Sequence, residues 1–512
     1  MTKSISSSNK IIKNTGFLYG RMAITVFISL YTTRLILNSL GVSDFGVFGI
    51  VGGAIGMLSF LDGAMAAATQ RFMSFVEGEG DELKKHKVFN VSIVLHIGIA
   101  VIVLCMLELA SLAFFCGILN IAPDRIYAAK AIYHFMVLSA VFTIITVPFD
   151  AAINSHEDML FYGITGVLES VLKLSLAIWI TYTSYDKLIV YGLFIAVITV
   201  ITLVIKQIYC SVKYKECKVQ PKQYFDYPLF KEMTHYASWN FMGSMGTVVG
   251  NYGSGLVVNH FFGTAVNAAQ SVTGQLNGQL LSFSNNMLKA LNPVIVKKEG
   301  EGNRDSMLKH SLTGCKLSYI LLAVFAIPFL VETPFILKLW LKIVPEWTIL
   351  FCRLFVVTTM IQQFTITFGT TIGATGRIKA ISLFSSLISL LPNIVYIILF
   401  SLGASPVWLY ILILIDLGIF SAFFMIYQCK VKCGLDITYF LKSVVAGNVI
   451  STFISLSVAV LLAVLQSESI YRLLQIGIIC PIVYLVCTYF FVFNSEEKSI
   501  IQNLMKKLIL KK

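Results

Sequence analysis

The chain has 512 residues, of which 57% are hydrophobic and 13% are charged, and its mean hydropathy is +0.81. This composition excludes a soluble globule, because too few polar side chains remain to cover the surface of so long a chain. The formal net charge of +13 would favour a nucleic-acid partner in a soluble protein. Here the basic residues lie between long apolar runs, so we expect membrane lipids and no nucleic acid as partners.

The apolar runs predict an all-α integral membrane protein with about 14 transmembrane helices. A helix needs about 20 apolar residues to cross the hydrocarbon core of a bilayer. On that measure the spans are predicted at 15–37, 45–67, 88–110, 127–147, 159–181, 187–209, 236–258, 265–288, 312–335, 348–372, 380–400, 406–428, 441–464 and 470–493. The first run carries Arg21 and Arg34 and is too long for a cleaved secretory signal.

The basic residues between the spans predict the orientation in the membrane. With the N-terminus in the cytoplasm, 29 of the 39 lysines and arginines fall on the cytoplasmic side and five on the other side. Cytoplasmic loops carry such an excess, so both termini are predicted to be cytoplasmic. The larger cytoplasmic loops are predicted at Lys206–His235 and Lys289–Lys316. In segment 494–512, apolar residues at helical spacing beside lysines predict a helix on the anionic inner surface.

Two stretches of the chain are similar at an offset of 222 residues. Leu30–Gly80 ends in the tetrad EGEG at 77–80, and Val257–Gly302 ends in the same tetrad at 299–302. Gly41 and Gly263 are related by the same offset. Internal repeats of membrane helices are typical of transporters, so we predict two copies of one unit.

The sequence contains no motif of a catalytic site. It has no Gly-Lys-Ser/Thr phosphate loop, no HExxH and no nucleophile elbow, so neither ATP hydrolysis nor a hydrolytic reaction is predicted. Cys429 and Cys433 lie one helical turn apart, but no histidine or further cysteine lies near them to complete a metal site. We therefore predict neither enzymatic activity nor a cofactor.

Four charged residues within the spans are candidates for a substrate cavity. A charge near the bilayer centre costs roughly 2.5–3.5 kcal/mol, so it is expected to be paired or to face water. Glu169 and Lys173 lie one turn apart, a spacing that suits both a self-neutralising pair and a pair lining a wet cavity. Arg21 lies near the inner boundary, where it could snorkel, and Arg34 lies nearer the outer end. The functional interpretation is that one or both donate N–H groups to a phosphate or diphosphate.

Amide and aromatic side chains are unusually frequent in the seventh and eighth spans. The candidates are Trp239, Asn240, Asn251, Tyr252, Asn267, Gln270 and Asn277. Helix packing through amide hydrogen bonds is one interpretation. Because the amides of the eighth span occupy two faces of the helix, we favour a hydrated cavity. Amides beside Trp and Tyr suit the hydroxyls and apolar ring faces of a sugar.

Two carboxylates are candidates for coupling transport to H⁺ or Na⁺. Asp416 lies mid-span with no partner in its own turn, and Asp62 lies near the inner end of the second span, where it could instead serve Arg71. Glu108 and Lys130 lie near the outer ends of successive spans and are expected to form an interfacial ion pair.

Several segments resemble a known family. The run RLILNSLGVSDFGVFGIVGG, the segments ATQRFMSF, NHFFGTAVNAAQ and NPVIVKKEG, and the fourteen-span plan are similar to the polysaccharide-export and O-antigen flippase branch of the MOP superfamily. The resemblance covers nearly the whole chain and implies a MATE-like transporter with parallel six-helix repeats. The implied boundaries are 1–212 for the N-lobe, 213–235 for a cytoplasmic loop, 236–428 for the C-lobe, 429–493 for two added helices and 494–512 for the basic tail.

The resemblance also implies a function. The cargo would be an undecaprenyl-diphosphate-linked oligosaccharide, flipped across the bacterial inner membrane for synthesis of O-antigen, lipopolysaccharide or capsule. Whether a polysaccharide polymerase docks on the protein stays open.

Three alternatives remain. A cation-coupled multidrug exporter of the same fold would want carboxylates to dominate its cavity, whereas this chain mixes Arg, Lys and amides. A flippase for the lipid-linked peptidoglycan precursor shares the fourteen-span plan and cavity arginines. A membrane scaffold for polysaccharide assembly would have no need of buried amides and charges.

Overall fold

The structure is a computed structural model. It describes residues 14–29, 31–32, 35–36, 39–40, 44, 48, 59–115, 123–341, 344–495, 497–499 and 502. The side chains of 59–64, 113, 251–252, 259, 264–265 and 267–268 are outside that description. All regular secondary structure in these ranges is helical, with no strand.

Ten helices in the described ranges are long and apolar enough to cross a membrane, which confirms the predicted all-α membrane fold. Two further predicted spans, 15–37 and 45–67, are only partly described. The predicted spans 236–258 and 265–288 lie in one helical stretch, Tyr227–Gly300, which is broken at Gly263. Gly263 has φ 73° and ψ −167°, a backbone conformation essentially open to glycine alone. The break therefore falls between the two spans that hydropathy predicts.

The described residues group into two compact units. The first comprises Met1–Met245 with Lys289–Asn303. Its helices are α1 (14–29), α2 (Ser59–Glu79), α3 (Glu82–Ala113), α4 (Ile126–Ser155), α5 (Met159–Tyr182), α6 (Lys187–Lys213), the short α7 (Pro221–Tyr224) and both ends of α8 (Tyr227–Gly300). Helices α3 to α6 enclose an apolar core around Tyr133, whose hydroxyl donates to the Leu107 carbonyl at 2.6 Å.

The second unit comprises Gly246–Leu288 with Arg304–Lys512. It contains the middle of α8, then α9 (Arg304–Leu341), α10 (Thr348–Gln363), α11 (Phe368–Ala374), α12 (Lys379–Ser401), α13 (Val407–Ile413), α14 (Ser421–Cys433), α15 (Ile437–Phe440), α16 (Gly447–Leu465) and α17 (Ile470–Phe491). A π-helical turn, Leu414–Phe420, joins α13 to α14, and another, Leu441–Ala446, joins α15 to α16. Helices α16 and α17 pack on each other and on α9.

Two arginines of the second unit have partners within the protein. Arg472 on α17 binds the fully buried Glu332 on α9, with Nη2 3.0 Å from Oε2. Arg353 on α10 binds a backbone group instead of a carboxylate. Pro334 in α9 has no N–H, so it cannot donate to the Leu330 carbonyl one turn earlier. Arg353 Nε donates to that carbonyl at 2.9 Å instead. Both arginines thus bind polar groups of the protein that lipid could not solvate.

The two EGEG tetrads lie together in the first unit. Helix α2 ends at Glu79 and α8 at Gly300, and Gly80 and Gly302 follow with φ of 74° and 71°. At the crossing, a Cβ on Gly78 would overlap the Lys297 carbonyl, and a Cβ on Gly300 would overlap the Phe75 carbonyl. Lys297 follows Phe75 by 222 residues, the offset that also relates Gly78 to Gly300. The contact is therefore reciprocal: each glycine packs against the backbone carbonyl three residues before the other glycine.

We predict that Gly78→Ala and Gly300→Ala each lower the stability of the folded protein. The added methyl group must push one backbone away from the other, and overpacking of this kind costs about 1–3 kcal/mol. Gly98→Ala is the matched control, because Gly98 lies in helix α3 and a Cβ added there would meet nothing within 4 Å. Thermal unfolding in detergent micelles measures the effect. Equal unfolding temperatures for all three variants and the wild type would contradict the close crossing.

Candidate functional site

A polar cavity of 380 Å³ lies within the first unit. It is lined by residues of α2, α4, α5, α6 and the last part of α8: Ala66, Gln70, Thr143, Thr146, Val147, Asp150, Ala151, Asn154, Tyr162, Glu169, Thr199, Thr202, Lys206 and Lys289. Most of these side chains are hydroxyls, amides or charged groups, which apolar lipid cannot solvate. The cavity is therefore a candidate site for a polar ligand.

Helical periodicity brings the polar side chains of α4 to the cavity. Thr143, Thr146, Asp150 and Asn154 follow one another at spacings of three and four residues, which places them on one face of the helix. Thr146 Oγ1 donates to the Phe142 carbonyl at 2.8 Å, so its hydroxyl is satisfied within its own helix. This face of α4 is therefore polar, and the hydroxyl of Thr146 still has a hydrogen-bond acceptor.

The facing side of α6 has the same construction. Thr199, Thr202 and Lys206 are spaced by three and four residues. Lys206 is 9% exposed, and its Nζ lies 2.7 and 2.8 Å from the two carboxylate oxygens of Asp150 on α4. An ammonium group this deeply buried requires such a partner.

Three cationic side chains surround the ring of Tyr162. The guanidinium carbon of Arg21 lies 4.7 Å from the ring centroid, Lys289 Nζ lies 4.9 Å from it, and Lys206 Nζ lies 6.0 Å from it. Lys289 Nζ also donates to the Tyr162 hydroxyl at 2.8 Å. We call Arg21, Tyr162, Lys206 and Lys289 the Tyr162 cluster.

The local structure of α5 admits Arg21 to this cluster. A Cβ on Gly166 would overlap the Arg21 guanidinium, so the glycine leaves room for that group in its present position against α5. Tyr162 precedes Gly166 by one turn and offers its ring face to the same guanidinium. Arg21 is thus held by α5 rather than extended to the membrane boundary, and the structure brings this predicted cavity cation into the cluster.

The charges around the cavity do not cancel. Asp150 neutralises Lys206, and Glu169 is 2.6 Å from Lys173 on its own helix. No carboxylate among the described residues lies within 4 Å of the Arg21 or Lys289 nitrogens. The cavity therefore has an excess of positive charge on the side of Tyr162.

The structure departs from the sequence analysis in how it places two of these lysines. Lys206 and Lys289 were predicted to begin cytoplasmic loops, but α6 extends to Lys213 and α8 to Gly300, so both lysines lie on helices beside the cavity. The 20-residue span length underestimates helices that continue beyond the hydrocarbon core. Asp150, Tyr162, Lys206 and Lys289 were missed as site residues, although the Thr-Thr-Asp-Asn and Thr-Thr-Lys spacings were present in the sequence.

Predicted site residues of the second unit make hydrogen bonds between or within helices. Gln270 Nε2 donates to Ser254 Oγ at 3.2 Å, and Asn277 Oδ1 accepts from Thr359 Oγ1 at 2.7 Å. In these two cases the packing interpretation accounts for the amide. Asp416 lies half-buried on the π-helical turn, and no described residue forms a hydrogen bond or salt bridge with its carboxylate.

The remaining predicted residues lie elsewhere or outside the description. In the first unit, Trp239 Nε1 contacts His235 Nε2 at 3.1 Å, and Asn240 is a hydrogen-bond partner of Tyr236. Arg34 is outside the described residues, as are the side chains of Asp62, Asn251, Tyr252 and Asn267.

The predicted Glu108–Lys130 ion pair is wrong. Glu108 contacts His134 Nδ1 at 3.0 Å, one helical turn further along α4, while Lys130 Nζ lies over the Phe115 ring.

Comparison with known protein families and with curated proteins gave no match. Solved structures with the MATE transporter fold do match. A multidrug resistance MATE family transporter of the MOP superfamily, in an outward-facing conformation, aligns with a TM-score of 0.72 at 13% identity over 84% of this chain and 96% of its own. A MATE structure in a bent conformation aligns with a TM-score of 0.71 at 12% identity over 83% of this chain and 97% of its own.

A third similar structure is a MOP superfamily transporter from Pyrococcus furiosus, described as having a binding pocket of reverse polarity that suggests a different function. It aligns with a TM-score of 0.70 at 13% identity over 84% of this chain and 96% of its own. At this identity the likeness establishes the fold alone: the chain has the fold of MATE transporters.

We predict that Asp150 and Lys206 are energetically coupled. Lys206→Met leaves a carboxylate without its partner and Asp150→Asn leaves an ammonium group without its partner, so each single variant should unfold more easily than the wild type. The double variant should recover part of the loss, giving a coupling of about 0.5–3 kcal/mol in a double-mutant cycle. Unfolding in a denaturant series measures it. Strictly additive losses would show that the ion pair contributes nothing.

Proposed function

We propose that the protein is a flippase that moves an undecaprenyl-diphosphate-linked oligosaccharide across the bacterial inner membrane for surface polysaccharide synthesis. The Tyr162 cluster carries this proposal. It places three cations around one ring beside a hydroxyl-lined cavity, and within the described part of the chain only one of them, Lys206, has a carboxylate partner, Asp150. An anionic ligand would balance the other two.

A diphosphate suits the cluster chemically. Its oxygens accept several hydrogen bonds at once, and Arg21 offers a planar fork of donors while Lys289 offers a mobile point charge. Arg21 is partly buried, so its charge interacts more strongly than it would on an exposed surface, whereas Lys289 is exposed. Gln70, Asn154 and the threonines next to the cluster offer partners for sugar hydroxyls.

A multidrug exporter of the same fold is the principal alternative, because one of the similar structures is a multidrug resistance transporter. Positive charge in the cavity disfavours cationic drugs, which would be repelled by Arg21 and Lys289. Asp416 offers a carboxylate for H⁺ or Na⁺ coupling under either function.

A flippase for the lipid-linked peptidoglycan precursor would also meet a diphosphate, so the cluster suits it equally. The two flippases differ in the lipid that accumulates when the protein is removed. A scaffold for polysaccharide assembly, with or without a docked polymerase, would require no cationic cavity.

We predict that a strain lacking this protein accumulates lipid-diphosphate-linked oligosaccharide in the cytoplasmic leaflet. The wild-type gene should relieve the accumulation, whereas Arg21→Gln and Lys289→Gln should reduce the rate of transfer about tenfold or more, because each removes a charged hydrogen bond worth about 1.5–3 kcal/mol. Lys130→Gln is the control, since Lys130 is an exposed lysine of the same unit outside the cavity. Extraction of the lipids and leaflet-specific labelling of their sugars provide the measurement.

Other outcomes would replace the proposal. Accumulation of the peptidoglycan precursor would assign the protein to that lipid. Unchanged lipids with altered sensitivity to cationic drugs would favour the exporter. Loss of polysaccharide with normal transfer between leaflets would favour the scaffold.

A further inference from the structure

A cluster of basic side chains lies at the end of the second unit that the sequence predicts to be cytoplasmic. Arg377 is in the turn before α12, Lys379 begins α12, and Lys430 and Lys432 are in the last turn of α14. Arg377, Lys379 and Lys430 are exposed, and Lys432 is half-buried. We call these four residues the α12–α14 basic cluster. The proposed transport function depends on the Tyr162 cluster of the first unit and uses none of them.

The turn before α12 and the end of α14 are in direct contact. Lys432 Nζ donates to the Arg377 carbonyl at 2.7 Å, which brings the ammonium group to the turn that carries the Arg377 side chain. The two positive charges are close enough to repel each other. Among the residues that the structure describes, no carboxylate oxygen lies within 4 Å of a nitrogen of Arg377, Lys430 or Lys432.

Carboxylates are scarce in this part of the chain. Segment 373–442 contains two, Asp416 and Asp436. Asp416 lies about four helical turns before Lys432 on the same helical stretch, too far to pair with it. Asp436 is exposed, and its Oδ1 accepts from the backbone N–H of Tyr439 at 3.1 Å, which caps α15. Neither carboxylate forms a salt bridge with the basic cluster.

The first unit has a carboxylate at the corresponding place. The predicted repeat makes α5 equivalent to α12, and α6 equivalent to α13 with α14. Asp158 precedes α5, accepts from the Phe161 N–H, and lies 2.5 Å from Lys213 Nζ at the end of α6. The residue before α12 is Ile378, so Lys432 has a backbone carbonyl where Lys213 has a carboxylate. The general preference for cations on the cytoplasmic side does not explain this difference, because it acts on both units alike.

The N-terminus of α12 adds to the attraction for an anion. This helix has 23 residues, and its N-cap residue, Ile378, provides no side-chain hydrogen bond to the first turn. A helix N-terminus carries a partial positive charge and presents backbone N–H groups to anions. Arg377 lies just before it and Lys379 is its first residue. This end of the unit therefore combines backbone donors with cationic side chains.

Exposed apolar side chains lie on the same two helices, next to the basic cluster. Helices α12 and α14 contact each other through Phe384 and Phe424, whose rings stack with 3.8 Å between centroids and 7° between planes. Large exposed apolar side chains lie within one turn of these rings on both helices: Leu383, Leu387, Phe423 and Tyr427. In a membrane, side chains of this kind contact the acyl chains of lipids. A ligand that reaches both the cations and this surface must have a charged part and apolar chains.

We propose that the α12–α14 basic cluster binds the headgroup phosphate of an anionic phospholipid such as phosphatidylglycerol. Arg377 provides a planar set of donors for the phosphate oxygens, and the ammonium group of Lys432 adds a point charge. The acyl chains lie along the exposed apolar side chains of α12 and α14. This lipid is a ligand of the second unit and is distinct from the cargo, which the Tyr162 cluster of the first unit recognises.

Lipid binding to the full-length protein in detergent micelles tests the proposal. The probes are phosphatidylglycerol, phosphatidylcholine with the same acyl chains, and soluble glycerophosphoglycerol, which has the anionic headgroup without the chains. Native mass spectrometry counts the bound lipids over a concentration series. The wild type should bind phosphatidylglycerol about tenfold more tightly than phosphatidylcholine, because several cations act on its net negative charge. Glycerophosphoglycerol at the same concentration should not displace the lipid, because it has no chains to bury.

Substitutions in the cluster should lower the affinity for phosphatidylglycerol. Arg377→Gln and Lys432→Gln should each lower it about fivefold, since each removes one cation near the headgroup. Arg377→Glu should lower it further, because it offers Lys432 a carboxylate of the kind that Lys213 has in the first unit. Lys222→Gln is the control, since Lys222 is an exposed lysine of the predicted cytoplasmic loop in the first unit. Its affinity should equal that of the wild type.

Several results would overturn the proposal. One is an affinity for phosphatidylglycerol that Arg377→Gln and Lys432→Gln leave unchanged. Another is an equal loss in Lys222→Gln, which would show a general attraction to basic side chains. Displacement of the lipid by glycerophosphoglycerol at equal concentration would identify a site for a soluble phosphate compound instead. A loss in Arg21→Gln but not in Arg377→Gln would place the lipid at the Tyr162 cluster.

Discussion

The cost of holding charge away from water determines how this protein is built. A charged side chain inside a bilayer must find a partner within the protein or line a hydrated space. Arg472 binds Glu332, and Arg353 donates to the Leu330 carbonyl, which Pro334 leaves without its helical N–H donor. The Tyr162 cluster differs from these sites, because only one of its three cations has a carboxylate partner among the described residues. That excess distinguishes a candidate ligand site from charges that only support the fold.

Much of the fold could be predicted because it depends on local patterns. Apolar runs predict the helices, and the break at Gly263 falls between two of them, where the required positive φ selects glycine. The EGEG tetrads predict a repeat, and in the structure Gly78 and Gly300 of these tetrads lie at one close helix crossing. The apolar runs and the glycine are visible in short segments of sequence, and the tetrads are related by one offset of 222 residues. None of them depends on knowing which helices pack together.

The candidate site was harder to predict because it depends on contacts between distant residues. Asp150 and Lys206 lie 56 residues apart in sequence, and Lys289 is 127 residues from Tyr162. Each lysine also lies beyond the hydrophobic stretch, where a loop is the natural sequence interpretation. The sequence signal for this site is the pair of polar stripes at helical spacing on α4 and α6.

The most direct test of the central claim is whether the Tyr162 cluster recognises the diphosphate itself. Purified protein would be offered equal amounts of undecaprenyl diphosphate and undecaprenyl monophosphate, and native mass spectrometry would count each bound lipid. Our account predicts that the diphosphate occupies the wild-type protein about tenfold more than the monophosphate, since a second phosphate can engage a further cation. Equal occupancy by the two lipids would contradict a diphosphate site at this cluster.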